Sequence, residues 1–255
     1  MTLDVNSAKL LHKALTASGD ELLVLLEQAP LDVVQAALKN PALGESQLLL
    51  LLKRSDLKEE HLKGICKLAI TEESHALKLA IARHRSTPAP QLLGILPHLY
   101  LFELLNFCLV PGITPDQKLA AERNIIQRLP VTPLGNKLTL ARRATPLVLE
   151  ALLKEGDPRV IEVCLTNPGL KEGALYQFLR SAAAKADTIS MVARSSRWQN
   201  RPNLREAILT NPRTPLIWFT LWLPAMGRSD LRRLIASSRL TPQQKKAVEE
   251  ALGRR

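Results

Sequence analysis

Apolar residues along the chain come in short bursts with the spacing of a helix. Leu77, Ala80 and Ile81 stand at i, i+3 and i+4, as do Leu204, Ala207 and Ile208, and similar apolar faces run through Ala120, Ala121 and Ile125 and through Ala247, Val248 and Leu252. Each burst turns one face of a helix inward. Thr-Pro occurs six times, at 87, 114, 132, 145, 214 and 241, in the order a helix start needs: a hydroxyl able to accept an orphan amide proton, then a residue with φ already fixed. Asn-Pro occurs at 40, 167 and 211 after amphipathic segments. There Asn closes a helix in the left-handed region or in an Asx turn, and Pro forbids continuation. The segments so bounded are about 8 to 13 residues long, too short to hold a helix in water alone, so each must be stabilised by its neighbours in a stack.

The pattern repeats at a fixed offset of 127 residues. Between 22–126 and 149–253 it gives 26 identities in 105 ungapped pairs, and reads as a tandem duplication. Leu22, Leu25 and Leu26 return as Leu149, Leu152 and Leu153, and Thr87-Pro88 returns as Thr214-Pro215. Thr114-Pro115-x-Gln117-Lys118-x-Ala120-x-Glu122 returns as Thr241-Pro242-x-Gln244-Lys245-x-Ala247-x-Glu249. Expected domains are a first half, 1–127, and a second, 128–255, joined in one continuous superhelix of about a dozen short helices.

A shorter echo runs inside each half. Val33 to Asn40-Pro41 is followed by Ala76, Leu77 and Ala80 leading to His84 and Thr87-Pro88; Val160 to Asn167-Pro168 is followed by Leu204, Ala207 and Asn211-Pro212-Arg213-Thr214-Pro215. At these residues the chain resembles the variant leucine-rich repeat and HEAT-like family, whose units carry a helix ending in an Asn-Pro-x-Thr-Pro turn and then a second apolar helix. The fullest match is Asn211 to Pro215; Asn40-Pro41 and Asn167-Pro168 lack the Thr-Pro, and His84-Arg85-Ser86 precedes Thr87 in the remaining copy. The resemblance implies a curved α-solenoid, of a kind that mostly serves as scaffold and in a minority binds nucleic acid.

Composition agrees with an all-α fold. Aromatic residues are 4% of the 255 and Leu dominates the apolar set, which suits helix on helix better than sheet. Residues 1–6 do not read as a secretory signal. The longest apolar stretches, 48–52 and 216–223, fall far short of the ~20 residues of a membrane-spanning helix, so a soluble cytoplasmic protein is expected. Cys66, Cys108 and Cys164 read as small buried hydrophobes.

Charge separates the halves. The first carries 13 Lys+Arg and 14 Asp+Glu, net −1; the second carries 22 and 10, net +12, and 16 of its 22 cations are Arg against 4 of 13. Two clusters result, Arg194, Arg197, Arg201 and Arg205, and Arg228, Arg232, Arg233 and Arg239, with Arg228 and Arg232 one helical turn apart. Merged, they would form a basic surface for an anionic partner. Trp198, between Arg197 and Arg201, stands where the first half has Thr71 and is a candidate exposed stacking or hot-spot residue. Trp218 and Trp222, at i and i+4, read as core or as a self-association face.

No catalytic motif is legible, and no cofactor is expected. The five histidines, His12, His61, His75, His84 and His98, lack metal-ligand spacing; His61 and Cys66, five apart, fall on different helix faces. There is no phosphate-cradling glycine loop and no GxSxG. A DNA glycosylase on HEAT-like repeats could work with one Asp, and Asp230 is the candidate, although its counterpart Glu103 suggests an early-helix acid favourable to the dipole. The sequence therefore leads to a non-catalytic interaction scaffold that engages an acidic protein through its second half, with nucleic acid bound through its phosphates as the alternative.

Overall fold

The computed structural model describes residues 5–254. Met1 to Asp4, part of the start read for a secretory signal, and Arg255 lie outside. Among the described residues every regular element is a helix. The chain divides into two compact units, residues 1–125 and 126–255. The first holds α1 (Val5–Thr16), α2 (Gly19–Gln28), α3 (Leu31–Ala37), α4 (Glu45–Leu51), α5 (Glu59–Cys66), α6 (Ala69–Glu73), α7 (His75–Arg83), α8 (Ala89–Ile95), α9 (Leu101–Cys108) and most of α10 (Pro115–Arg128). The second holds α11 (Leu134–Arg143), α12 (Pro146–Glu155), α13 (Pro158–Thr166), α14 (Glu172–Leu179), α15 (Ala186–Arg194), α16 (Pro202–Leu209), α17 (Leu216–Trp222), α18 (Arg228–Ile235) and α19 (Pro242–Gly253).

Helix bounds recur at the sequence offset. Both ends of α12, α17 and α18 lie 127 residues after those of α2, α8 and α9, and α13, α14, α15, α16 and α19 begin 127 residues after α3, α4, α5, α7 and α10. α11 ends 127 residues after α1 but begins two residues later than that offset, and the counterpart of α6, residues 196–200, is a run of turns. The described helices number 19 rather than about a dozen. Many are single turns or two, and their starts lack the Thr-Pro and Asn-Pro signals. An N3 side chain secures such starts by accepting from the N-cap amide: Gly44 N–H donates to Gln47 Oε1 (3.1 Å), Lys58 N–H to His61 Nδ1 (3.3 Å) and Lys185 N–H to Thr188 Oγ1 (3.0 Å).

Each Thr-Pro does stand at a helix start, but only two of the six threonines cap. Thr114 and Thr241 accept from the amides of Gln117 and Gln244, each at 3.3 Å. Where Pro88, Pro133 and Pro215 themselves occupy the N-cap, the threonine is one position too early to reach that amide. Its hydroxyl turns back instead, donating to the carbonyls of Ile81, Arg128 and Ile208. Thr145 sits at an N-cap without a capping bond, its buried Oγ1 unpartnered.

The asparagines choose the Asx turn. No described residue other than glycine has positive φ. Oδ1 of Asn40, Asn167 and Asn211 accepts from the amide two residues on, at 2.8, 2.7 and 2.8 Å. Each Nδ2 meanwhile donates to the carbonyl end of an earlier helix: Asn40 to Ala14 and Ala17, Asn167 to Ala141, Asn211 to Leu179. His84 copies both halves of the device, accepting from Ser86 N–H at Nδ1 (3.2 Å) and donating from Nε2 to Arg54 O (2.8 Å). The two backbone partners call for the tautomer with its proton on Nε2.

Many helices pack on the next but one. In the first unit α1 packs on α3 and α2 on α4; in the second α11 packs on α13 and α13 on α15, while α12 packs on α14 and α14 on α16. Leu77, Ile81, Leu204, Ala207 and Ile208 are buried, as the pattern expects, but Ala80 is only half-buried. Leu209, Phe219, Leu223, Leu231, Leu234 and Val248 form the core around which α16 to α19 close.

Candidate functional site

The cations of the second unit fall into three states. Some are spent on the fold. Arg197 donates to the carbonyls of Asn167, Pro168 and Leu170 (2.6, 3.1 and 3.3 Å), binding the turn at 196–200 to the Asn-Pro turn before it, and stacks over the Trp198 ring at 4.4 Å. Arg205 donates to Gln199 O and lies over Trp222 at 5.1 Å, with its Nε buried and unpartnered. Others face a carboxylate: Arg201 lies 3.9 Å from Glu172, and Arg233 pairs with Asp230 on the first turns of α18. Arg194, Arg228, Arg232 and Arg239 are exposed, and no side-chain hydrogen bond or ion pair engages their guanidinium groups.

Trp198 is not the exposed platform that the sequence suggested. It is 4% exposed, and its indole N–H donates to Leu165 O at 3.2 Å. Trp218 is likewise buried, with Nε1 on Ser190 Oγ at 3.0 Å, and its ring stands 5.2 Å from the half-buried Trp222. The apolar side chains that α17 does present to solvent are Leu216, Ile217 and Leu221. At these positions α8 has Ala89, Pro90 and Gly94, and the one large aliphatic side chain it exposes is Leu93, so the three-residue face has no counterpart there.

Two clefts collect the arginines. One, of about 410 Å³ between α16 and α18, brings Arg205 of the first cluster together with Arg233 of the second, alongside Glu206 and Asp230. The other, of about 300 Å³, is lined by Arg239 with Arg180 and Arg213, two residues that sequence clustering passed over because they lie 26 to 59 positions from Arg239.

Asp230, the carboxylate singled out for glycosylase chemistry, stands at the third position of α18 and is engaged by Arg233. Its counterpart Glu103 accepts from Tyr100 N–H at 2.8 Å and pairs with His75 Nε2 at 2.9 Å. The early-helix role therefore accounts for both acids. Burial pushes the thiols of Cys108 and Cys164 up to about 12 and that of Cys66 up as well, so the thiolate needed for nucleophilic attack is scarce at neutral pH. His61 spends its ring on Lys58 N–H and Leu31 O (3.1 Å), and no group of three or more potential metal ligands occurs among the described residues. No described helix is long and apolar enough to cross a membrane. No protein-family model, curated protein or solved structure matches the chain.

Proposed function

We propose that the protein is a non-catalytic scaffold whose second unit binds an acidic protein partner. The observation that carries this reading is the set of exposed guanidinium groups of Arg194, Arg228, Arg232 and Arg239, without side-chain partners in a half with net charge +12. Such charges are unscreened by the protein's own carboxylates and raise the rate of encounter with an anion. Protein is favoured over nucleic acid by the aliphatic face of α17, which suits an apolar anchor, and by the burial of Trp198 and Trp218, which removes two surfaces on which bases would stack. Asp230, held by Arg233, gives no support to glycosylase chemistry.

Each unit is, on this reading, a short α-solenoid of the variant leucine-rich or HEAT-like kind, the two having arisen by duplication. Packing of many helices on the next but one, the shared helix starts at an offset of 127, and the Asn-Pro turns that bond back to an earlier helix support it.

The test is association with an acidic peptide of Glu and Leu followed by stopped flow. The triple variant Arg194→Glu, Arg228→Glu, Arg232→Glu should associate at least about tenfold more slowly, with an unchanged melting temperature. An unchanged association rate would remove the proposed surface.

A further inference from the structure

A basic cleft occurs at corresponding places in both units. In the first, about 590 Å³ of space follows α4 and is lined by Lys53, Arg54, Arg83 and Arg85; in the second, about 300 Å³ follows α14 and is lined by Arg180, Arg213 and Arg239. Leu52, Lys53, Ser55 and His84 of the first lining are matched 127 residues later by Leu179, Arg180, Ala182 and Asn211 of the second. No carboxylate lines either cleft. Asp56, nearby, is committed to Arg54, with which it makes a two-pronged pair at 3.0 and 2.7 Å.

General basicity does not explain the recurrence. The first half is net −1 and has four arginines, yet three of them, Arg54, Arg83 and Arg85, line this one cleft. Nor does register alone. Arg85 and Arg213 are not 127 residues apart, yet they donate to carbonyls that are, Ser55 O and Ala182 O. A cation anchored at that carbonyl is thus supplied from a neighbouring position of the turn in each unit. Lys53 and Arg180 occupy the same position, and Arg83 and Arg239, free of hydrogen bonds from their side chains, complete three cations per cleft once Arg54, neutralised by Asp56, is set aside. The hydrogen bonds of Arg213 and Arg180 leave further N–H groups of each fork unused, since each spends a single nitrogen, Arg180 on Tyr176 Oη at 2.7 Å.

We infer that each unit carries a site for a doubly charged tetrahedral oxyanion, either free phosphate or the terminal phosphoryl group of a larger molecule. Three cations without an acid match a dianion, whereas one carboxylate would leave two charges uncompensated. The guanidinium fork suits adjacent phosphate oxygens, and anchoring Arg85 in the first cleft, and Arg180 and Arg213 in the second, lowers the ordering cost of binding. The second-unit site shares Arg239 with the partner surface above, but Arg194, Arg228 and Arg232 line neither cleft, so the two can be altered independently.

Calorimetric titration of the full chain at constant ionic strength tests the assignment, with inorganic phosphate and O-phosphoserine as probes and acetate as the control. Two sites per chain are expected. Arg239→Gln should weaken one and Arg83→Gln the other by roughly tenfold or more, without change in melting temperature, while Arg232→Gln leaves both intact. Tighter binding of phosphoserine would assign the sites to esterified phosphate, and tighter binding of inorganic phosphate to the free ion. Fewer than two sites, acetate binding as tightly as phosphate, or equal weakening by Arg232→Gln would overturn the inference. Loss of acidic-peptide association in the triple Glu variant with phosphate uptake intact, or the converse, separates failure of one proposal from failure of the other.

Discussion

Asn211 shows how one side chain serves two backbones. Its oxygen closes its own turn on Arg213 N–H, and its amide nitrogen satisfies a carbonyl at the end of α14, which a helix terminus leaves without an intrahelical partner. Replacing it by Ala leaves both groups unsatisfied in a site 8% exposed, and a loss of about 1–3 kcal/mol is expected in chemical denaturation. Asn211→His, which installs the residue found at position 84, should recover much of that loss, since an imidazole makes both bonds there. If Asn211→Ala melts as the parent does, the turn-to-helix bond is not structural. The Asn-Pro signal was legible as a turn; the bond to Leu179 was not, because its acceptor lies 32 residues away. Trp198 departs from its local sequence setting for the same reason. Its local setting between two arginines suggests exposure, and only Leu165 O, 33 residues earlier, explains why the indole is drawn inside.

At the scale of the element, helix existence and type were carried by apolar spacing, and helix starts by the offset of 127. The sequence could not reveal which starts rely on an N-cap hydroxyl. Whether Thr or Pro occupies the N-cap shifts the hydroxyl by one residue, and that choice depends on how the incoming chain leaves the previous helix. Positions shared by the two halves predict the core best where the residue is large. Ile208, 1% exposed on α16, should lose about 2–5 kcal/mol on truncation to Ala, whereas a loss under about 0.5 kcal/mol would contradict its place in the core. Gly156, which ends α12 with φ of 74°, is a second case. A Cβ there would meet Ala183 O at 3.1 Å, so Gly156→Ala adds a close contact to a left-handed backbone, and about 1 kcal/mol or more of destabilisation is expected in the same denaturation series. Its first-half counterpart, Ala29, has φ of −59° and needs no glycine, so the two helix ends differ despite identical bounds.

At the scale of the molecule, two units share helix starts but differ by 13 charges, net −1 against net +12. That asymmetry was fully legible. The disposition of the arginines was not: Arg197, Arg205 and Arg233 are engaged by carbonyls, a ring or an acid, whereas Arg180 and Arg213 join Arg239 only through the folding of distant turns. The most direct measurement on the partner proposal is the affinity of the full chain for the acidic Glu-Leu peptide and for duplex DNA of random sequence across a salt series. Peptide binding should persist at physiological salt, held by the aliphatic face of α17, while DNA binding is weak there. Tight DNA binding at that salt, falling by about 0.9 in log K per log unit of salt for each of several phosphates contacted, with no measurable affinity for the peptide, would contradict a protein partner and assign the basic unit to nucleic acid.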